Sequence, residues 1–500
     1  MISIEEMAAF CKRRGFVYPN SEIYGSMAGF FDYGPIGVEL KNNIKQEWWK
    51  FHVKSRADIV GMDGSIITSP KVWEASGHLD SFQDIMIECQ NCHERYRADI
   101  LIEDTLKKRA DNLNQKQIDS LIKKNRVKCP NCNKSNFSNA SPFNLMFQTT
   151  IGPKKENEAR AFLRPETAQL IFTNFKLIHE NARLKLPFGI AQIGKSFRNE
   201  ISPRNFLFRA REFEQMEIEF FVHPEEREKC PYLNEIINHE VLIYSEEMQN
   251  KDTKPKKMKI KDALSKKIIK NPWHAYWLAL EHKWFASLGA NGDNFRIRQH
   301  VKEELSHYST DTWDLEYNFP FGWKELEGIA DRGNFDLTQH MKKSNKDLSV
   351  FDEQSKKKII PEVIAEPSLG LDRAFLVFLY DAYSFDKARD NIVLKLHPKL
   401  APIKAGIFPL LSNKPELVKK SKEIFDLLKE DFSCFYDESG SIGRRYSRMD
   451  EIGTPLCITI DFDSLNSNDV TIRDRNSTKQ IRVKIPKLKN AMNQLLSGKK

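Results

Sequence analysis

The sequence predicts an α/β protein, with an α+β core of antiparallel sheet flanked by helices over residues 1–385 and a smaller α/β unit over residues 391–500. Three observations carry this. Residues 197–221, FRNEISPRNFLFRAREFEQMEIEFF, read as two strands joined by an arginine-rich loop. Strand side chains alternate, so Arg198 and Glu200 share one face of the first strand, and Phe213, Gln215, Glu217 and Glu219 share one face of the second. One such charge pair reads as a solvated bridge across a hairpin, but the whole set beside an aromatic plate is costly to bury without a ligand. Residues 361–380, PEVIAEPSLGLDRAFLVFLY, read as a short strand, a tight turn at Ser368 to Gly370, and an apolar helix opening on Asp372 and Arg373. From residue 391 onward, NIVLKLHP, AGIFPL, ELVKKSKEIFDLLKE and VTIRDRNSTKQIRV alternate apolar strands with an amphipathic helix, the pattern of a mixed sheet.

Residues 30–78 read as a helix followed by a strand that reaches Pro70, with Trp48 and Trp49 as core packing. Cys89-x-x-Cys92 and Cys129-x-x-Cys132 form two knuckles separated by 36 residues. Their four soft thiolates suit tetrahedral Zn²⁺, the alternative being reduced free thiols. A helical insert at about 102–124 fills the gap between them and loops out without moving the knuckles. The lysine-rich run at 251–270 is a solvated surface segment or a contact for a polyanion, and the polar stretch at 381–391 reads as a linker.

A chain of 500 residues with 40% hydrophobic content can bury several cores, so two or three domains are expected. It has no apolar run long enough for a membrane span and no signal-peptide layout at its N-terminus, so a cytoplasmic protein is expected. Eight cysteines, mostly in CxxC pairs or scattered, suit a reducing compartment. The formal net charge is +9, of which +7 lies in residues 391–500, where a basic module suggests a polyanionic partner.

Phe197 to Glu200, then Arg209 to Phe213, then Glu217 resembles motif 2 of the class II aminoacyl-tRNA synthetases. The wording is that of the glycyl family of single-polypeptide, homodimeric type, and Asn205-Phe206-Leu207-Phe208 follows its version with the longer aromatic loop. Residues 361–380 are similar to motif 3, and residues 30–78 to motif 1, which in the family forms the dimer interface. GRRYSRMDEIGTPLCITIDF is similar to the family's anticodon-binding domain. The resemblance implies a class II catalytic domain over 1–385, with a zinc-knuckle-like insertion at 88–140 and a second insertion at 222–320 between motifs 2 and 3. An anticodon-binding domain over 391–500 follows.

The resemblance also implies roles. Arg198 holds the α-phosphate of ATP, Glu200 accepts from the adenine amine, Phe213 stacks on the ring, and Arg373 stacks on its other face while reaching the γ-phosphate. Glu325, in KELEGIADR, matches a position for ATP and Mg²⁺, and Asn199, Phe208, Arg209, Arg211, Leu326, Gly370, Leu371 and Asp372 complete the nucleotide set. Glu166, Glu217 and Glu366 are the acids for the ammonium of glycine, with Ser368 near its α-carbon and Arg97, Phe213, Gln215 and Gly370 around it. A carboxylate is already a nucleophile, so activation needs positioning and charge stabilisation, not a general base. A site shaped for glycine excludes larger side chains by sterics, so no editing domain is expected. Zinc varies in the family and is not required for its chemistry. The implied partner is tRNA; the 251–270 segment is a candidate for its acceptor end, and Arg444, Arg445 and Arg448, clustered in one loop, are candidates for its anticodon, the alternative for that loop being a solvated basic surface. The rival is a non-catalytic, synthetase-like nucleic-acid-binding accessory protein. Loss of the motif 2 and motif 3 arginines would mark one, and both Arg198 and Arg373 are present.

Overall fold

A computed structural model describes residues 1–107, 110, 113–152, 160–306, 308–353 and 355–497. Its largest element is a nine-stranded sheet. In chain order the strands are β1 (Ile59–Met62), β2 (Phe188–Phe197), β3 (Glu212–Val222), β4 (Glu240–Tyr244) and β5 (Lys256–Lys259). They are followed by β6 (Phe295–Gln299), β7 (Asp311–Phe319), β8 (Gly322–Asp331) and β9 (Glu362–Gly370). They lie side by side as β5-β4-β6-β7-β8-β9-β3-β2-β1, and neighbours are antiparallel except for β1 with β2 and β4 with β6.

The alternation along β3 fixes what each face of the sheet does. Met216, Ile218 and Phe220 are fully buried in the main core, while Phe213, Gln215 and Glu217 point into a cleft. Register then aligns small and acidic positions across three strands, with Glu217 opposite Ser368 and Ser368 opposite Gly328. A slip of one residue would send the cleft residues into the core, so burial of the apolar face specifies this register.

Four helices position the sheet: α1 (Pro35–Trp49), α2 (Ala168–Ala182), α3 (Pro272–Ser287) and α4 (Leu371–Ala382). In α1 proline stands in the first turn, where its missing N–H costs nothing, and Leu40, Ile44 and Trp48 recur every four residues to form the buried stripe. Helix α3 is buried on every side, with Trp273, Trp277 and Trp284 packed beneath the sheet.

Several elements differ from the sequence reading. Strand β2 stops at Phe197, so Arg198 and Glu200 lie in the loop beyond it and not on a strand face. No separate turn forms at Ser368 to Gly370, because β3 and β8 hold both sides of β9 and it runs straight into α4. The strand expected to reach Pro70 breaks: β1 ends at Met62, and Ile67–Thr68 joins a separate three-stranded sheet. Residues 222–320, read as an insertion between motifs 2 and 3, supply β4 to β7 and α3. The lysine-rich run contains β5, whose exposed Lys256 and Lys257 guard a sheet edge against pairing with other chains. The 381–391 stretch is a hairpin, Tyr383–Asp386 against Asn391–Leu394, so this last strand does not join the C-terminal sheet. The insert between the knuckles holds helices Ala98–Leu106 and Gln115–Lys124, and residues 108, 109, 111 and 112 lie outside the described residues.

The C-terminal unit is a mixed five-stranded sheet in the order β11-β10-β12-β13-β14. Its strands are β10 (Ala405–Pro409), β11 (Cys434–Tyr436), β12 (Leu456–Ile460), β13 (Asp469–Asp474) and β14 (Gln480–Lys484). The unit docks on the start of the chain: Arg14 pairs with Glu451 at 2.7 Å, and Ile36 packs against the cluster containing Phe408 and Met449. Among the described residues no helix is long and apolar enough to cross a membrane.

The entry of α1 tolerates no added atom, since a Cβ on Gly37 would sit 1.8 Å from the carbonyl oxygen of Phe16. Gly37→Ala should therefore destabilise the chain by about 2 kcal/mol. Urea unfolding checks this, and an unchanged midpoint would show that the contact relaxes freely.

Candidate functional site

A cleft of about 530 Å³ opens over β3, β8 and β9 and is roofed by the loop after β2. The register described above sets acids at one end. Ser368 donates to Glu217 at 2.6 Å, Thr167 also donates to Glu217, and the Gln215 amide donates to Ser368 at 3.2 Å. His78 lies 3.3 Å from Glu166, and Gln169 donates to the same carboxylate at 3.1 Å. Arg332, only 1% exposed, donates to Glu366 at 2.7 Å and to both oxygens of Asp336, under the ring of Tyr308 at 3.9 Å.

Burial sets the charge states here. It pushes the Glu366 carboxyl up to about 8, Glu217 and Glu166 adding to the effect against Arg332. Burial also raises Glu217, helped by the charge of Glu166, and holds Glu219 well above the ordinary range, helped by Glu366. Carboxylate oxygens of Glu217, Glu219 and Glu366 lie within 4.8 Å of one another, and neither oxygen of Glu219 has a hydrogen-bond partner among the described residues. Glu166 is the exception: burial would raise it, but His78, Arg332 and Arg198 hold it well below the usual carboxylate range.

Arginines and aromatic rings fill the other end. The Arg198 guanidinium lies 5.3 Å from the Phe213 ring and 5.4 Å from Phe82, and its Nε donates to the Pro165 carbonyl at 3.0 Å. Arg373 lies over Phe208 at 4.5 Å and donates to the carbonyl oxygens of Glu325 and Phe208 at 2.8 and 3.3 Å. Arg209 donates to Glu200 at 2.8 Å. Along the wall, burial pushes Asp314 up to about 6, with His300 2.8 Å away and the charge of Glu325 nearby.

Of the residues singled out from the sequence, Glu166, Arg198, Glu200, Phe208, Arg209, Phe213, Gln215, Glu217, Glu325, Leu326, Glu366, Ser368, Gly370, Asp372 and Arg373 border this one cleft. Four others do not. Arg97 pairs with Asp84 at 3.1 Å and Asp99 at 2.5 Å. Arg211 is spent on the carbonyls of Glu200 and Ala28, the Asn199 amide donates to the Leu145 carbonyl, and Leu371 is core. Sequence reading missed Arg332, Tyr308, His300 and Asp314. Arg332 stands in the same KELEGIADR segment as Glu325, so an arginine amid acids was the available signal; Tyr308 and His300 sit in loops with no pattern.

Away from the cleft, the sulfurs of Cys89 and Cys132 lie 3.5 Å apart and those of Cys92 and Cys129 3.6 Å apart. Both knuckles turn alike: the amides of His93 and Asn133 donate to the carbonyls of Cys89 and Cys129, and both residues are left-handed. Four thiolates at that spacing fit tetrahedral zinc, whose sulfurs are separated by roughly 3.7 Å. On the C-terminal unit the cluster of Arg444, Arg445 and Arg448 forms a helix, Ile442–Glu451, and not a loop. Arg445 is buried against the carbonyls of Pro409 and Gly440, and Arg448 pairs with Asp437, so only Arg444 keeps an exposed, uncommitted guanidinium among these three.

A large antiparallel sheet bearing a strand-loop-strand arginine site, a strand that runs into an arginine-headed helix, and a separate mixed-sheet unit defines a class II aminoacyl-tRNA synthetase. Residues 147–381 match the family described as the tRNA synthetase class II core domain (G, H, P, S and T), and residues 404–495 match the anticodon binding domain. The chain is 46% identical over 491 residues to a glycine–tRNA ligase of Caldanaerobacter subterraneus subsp. tengcongensis, covering 97% of this chain and 96% of that one. It is 46% identical over 494 residues to that of Acetivibrio thermocellus (97% of each chain), and 46% over 496 residues to that of Geobacillus kaustophilus (98% of each). The chain belongs to the glycine–tRNA ligase family.

Glu366 titrates near 8 in the folded chain against an ordinary 4.5. The unfolded chain therefore binds fewer protons between those values, and stability falls as pH rises through that window. Glu366→Gln removes the loss, so its stability relative to the parent should grow by about 1 kcal/mol per pH unit between roughly pH 5 and 8. Urea unfolding at several pH values checks this; a constant difference between the two proteins contradicts it.

Proposed function

We infer that the chain is a glycine–tRNA ligase that uses ATP to form glycyl-adenylate and then passes the glycyl group to the terminal ribose of its tRNA. The observation that carries this reading is the polarity of one cleft, with buried acids at one end and arginines laid on aromatic rings at the other.

Glu166, Glu217 and Glu366 receive the glycine ammonium, and its arrival favours the ionised form of the carboxyls that burial holds up. Ser368, held between Glu217 and Gln215, is the residue set toward the α-carbon, where a larger side chain would meet it. The glycine carboxylate attacks the α-phosphorus of ATP in line and pyrophosphate leaves. Arg198 and Arg373 then balance charge on the phosphates, because guanidinium is always charged and forks onto phosphate oxygens. Phe213 and Arg373, the latter laid on Phe208, supply the planar walls for adenine, and Glu200, already oriented by Arg209, accepts from its amine. Mg²⁺ enters with the nucleotide, and Glu325, beside Asp314, offers the hard oxygen ligands that such a cation takes.

Three further parts belong to the reading. Cys89, Cys92, Cys129 and Cys132 hold a structural Zn²⁺ that closes the knuckle module and takes no part in the chemistry. The protein works as a cytoplasmic homodimer; exposed Ile66, Ile67 and Ile151, beside the small sheet that follows β1, suit a face covered by a second copy. The net-positive C-terminal unit meets the anticodon arm, with Arg444 as its exposed contact.

Pyrophosphate exchange should be stimulated by glycine and not by alanine or serine, and equal stimulation by alanine would remove the basis of the pocket argument. Arg198→Ala and Arg373→Ala should each lower exchange by about 10²-fold or more while far-UV dichroism is retained. Protein purified without added metal should carry about one zinc per chain and sediment as two chains. Less than a tenth of an equivalent of zinc, or sedimentation as one chain, would refute the corresponding part.

A further inference from the structure

We propose that Lys41 is a positioning residue: from α1, outside the cleft, it sets Arg373 through the buried carboxylate of Asp372. Asp372 stands in the first turn of α4, one residue before Arg373, and is only 4% exposed. It accepts from the Tyr33 hydroxyl and, at 2.8 Å, from the backbone N–H of Glu214, and the Lys41 ammonium lies 3.7 Å away. Glu214 sits on β3 between Phe213 and Gln215, both of which face the cleft. One carboxylate thus ties the backbone that carries Phe213 to the helix that carries Arg373.

Lys41 neutralises this tie. It is 9% exposed, lies 2.9 Å from the Glu214 carboxylate, and sits 4.2 Å over the Tyr33 ring. Lys45, one turn further along α1, reaches Glu214 at 3.2 Å but makes no ion pair with Asp372 among the described residues. Without Lys41, the buried carboxylate of Asp372 loses the cation that faces it, a state that relaxes by turning the carboxylate or by admitting water. Either change loosens the first turn of α4. Arg373, the next residue, is otherwise held by the carbonyls of Glu325 and Phe208, the Phe208 ring and the Glu325 carboxylate at 3.5 Å, none of which lies on α4.

The assignment rests on the ligase reading only for the identity of the nucleotide, so its test is ATP binding by the full chain without glycine, followed by calorimetry. Glycine-dependent exchange, run separately, tests the ligase reading. Lys41→Met should weaken ATP binding about tenfold, and in the Lys41→Met, Arg373→Ala double variant the two losses should fail to add. Lys41→Arg should restore most of the affinity, and Lys45→Met should leave it within about twofold, since coupling runs through Asp372. Tyr33→Phe, which removes one donor from Asp372 without stranding a charge, should weaken ATP binding about threefold and decides the matter should Lys41→Met not fold. Additive losses in the double variant, an equal loss in Lys45→Met, or unchanged affinity in both Lys41→Met and Tyr33→Phe would overturn the proposal.

Discussion

Everything in the cleft depends on a buried excess of negative charge. Glu166, Glu217, Glu219, Glu366 and Asp336 converge beneath the sheet surface, and Arg332 is the buried guanidinium that partly balances them. Such a cluster is stable without a ligand only because burial lets some of its carboxyls keep their protons. On the function proposed above, a bound ammonium would supply the missing positive charge, so the same electrostatics that cost stability in the free chain would favour a cationic ligand.

The sheet register makes that concentration possible. Glu217, Ser368 and Gly328 stand level on adjacent strands, so an acid, a hydroxyl and a residue without a side chain share one spot. Behind them the apolar face of β3 is locked into a core of tryptophans from α3, which holds the acids to their places at the cost of freedom elsewhere. Helix α1 reaches from this core in two directions. Lys41 and Lys45 turn toward Asp372 and Glu214, while Asn43 donates to the carbonyls of Leu400 and Ala401, just ahead of the C-terminal sheet.

Much of the cleft was legible because strand alternation is a local rule. Phe213, Gln215 and Glu217 could be placed on one face from spacing, and they line the cleft together. The same rule failed for Arg198 and Glu200, since nothing in the local pattern shows that β2 ends at Phe197. Arg445 misled for a related reason: a basic cluster reads as surface, yet its guanidinium is satisfied by two backbone carbonyls in the interior. The 222–320 stretch read as an insertion because part of its pairing is with partners remote in sequence, as β4 pairs with β6.

The sequence by itself determined the class of sheet, the two-unit layout and the four knuckle cysteines from periodicity and spacing. Through the family resemblance it also named most acids and arginines of the cleft, though not Arg332 or Asp314. Only the tertiary structure decided which of those groups meet. It brought Arg332 under Glu366, set Lys41 against Asp372, turned Arg97 away toward Asp84 and Asp99, and buried Arg445. The reason is physical: a side chain's type fixes the partners it can accept, but the cost of leaving a charge unpaired is settled by which strands and helices close around it.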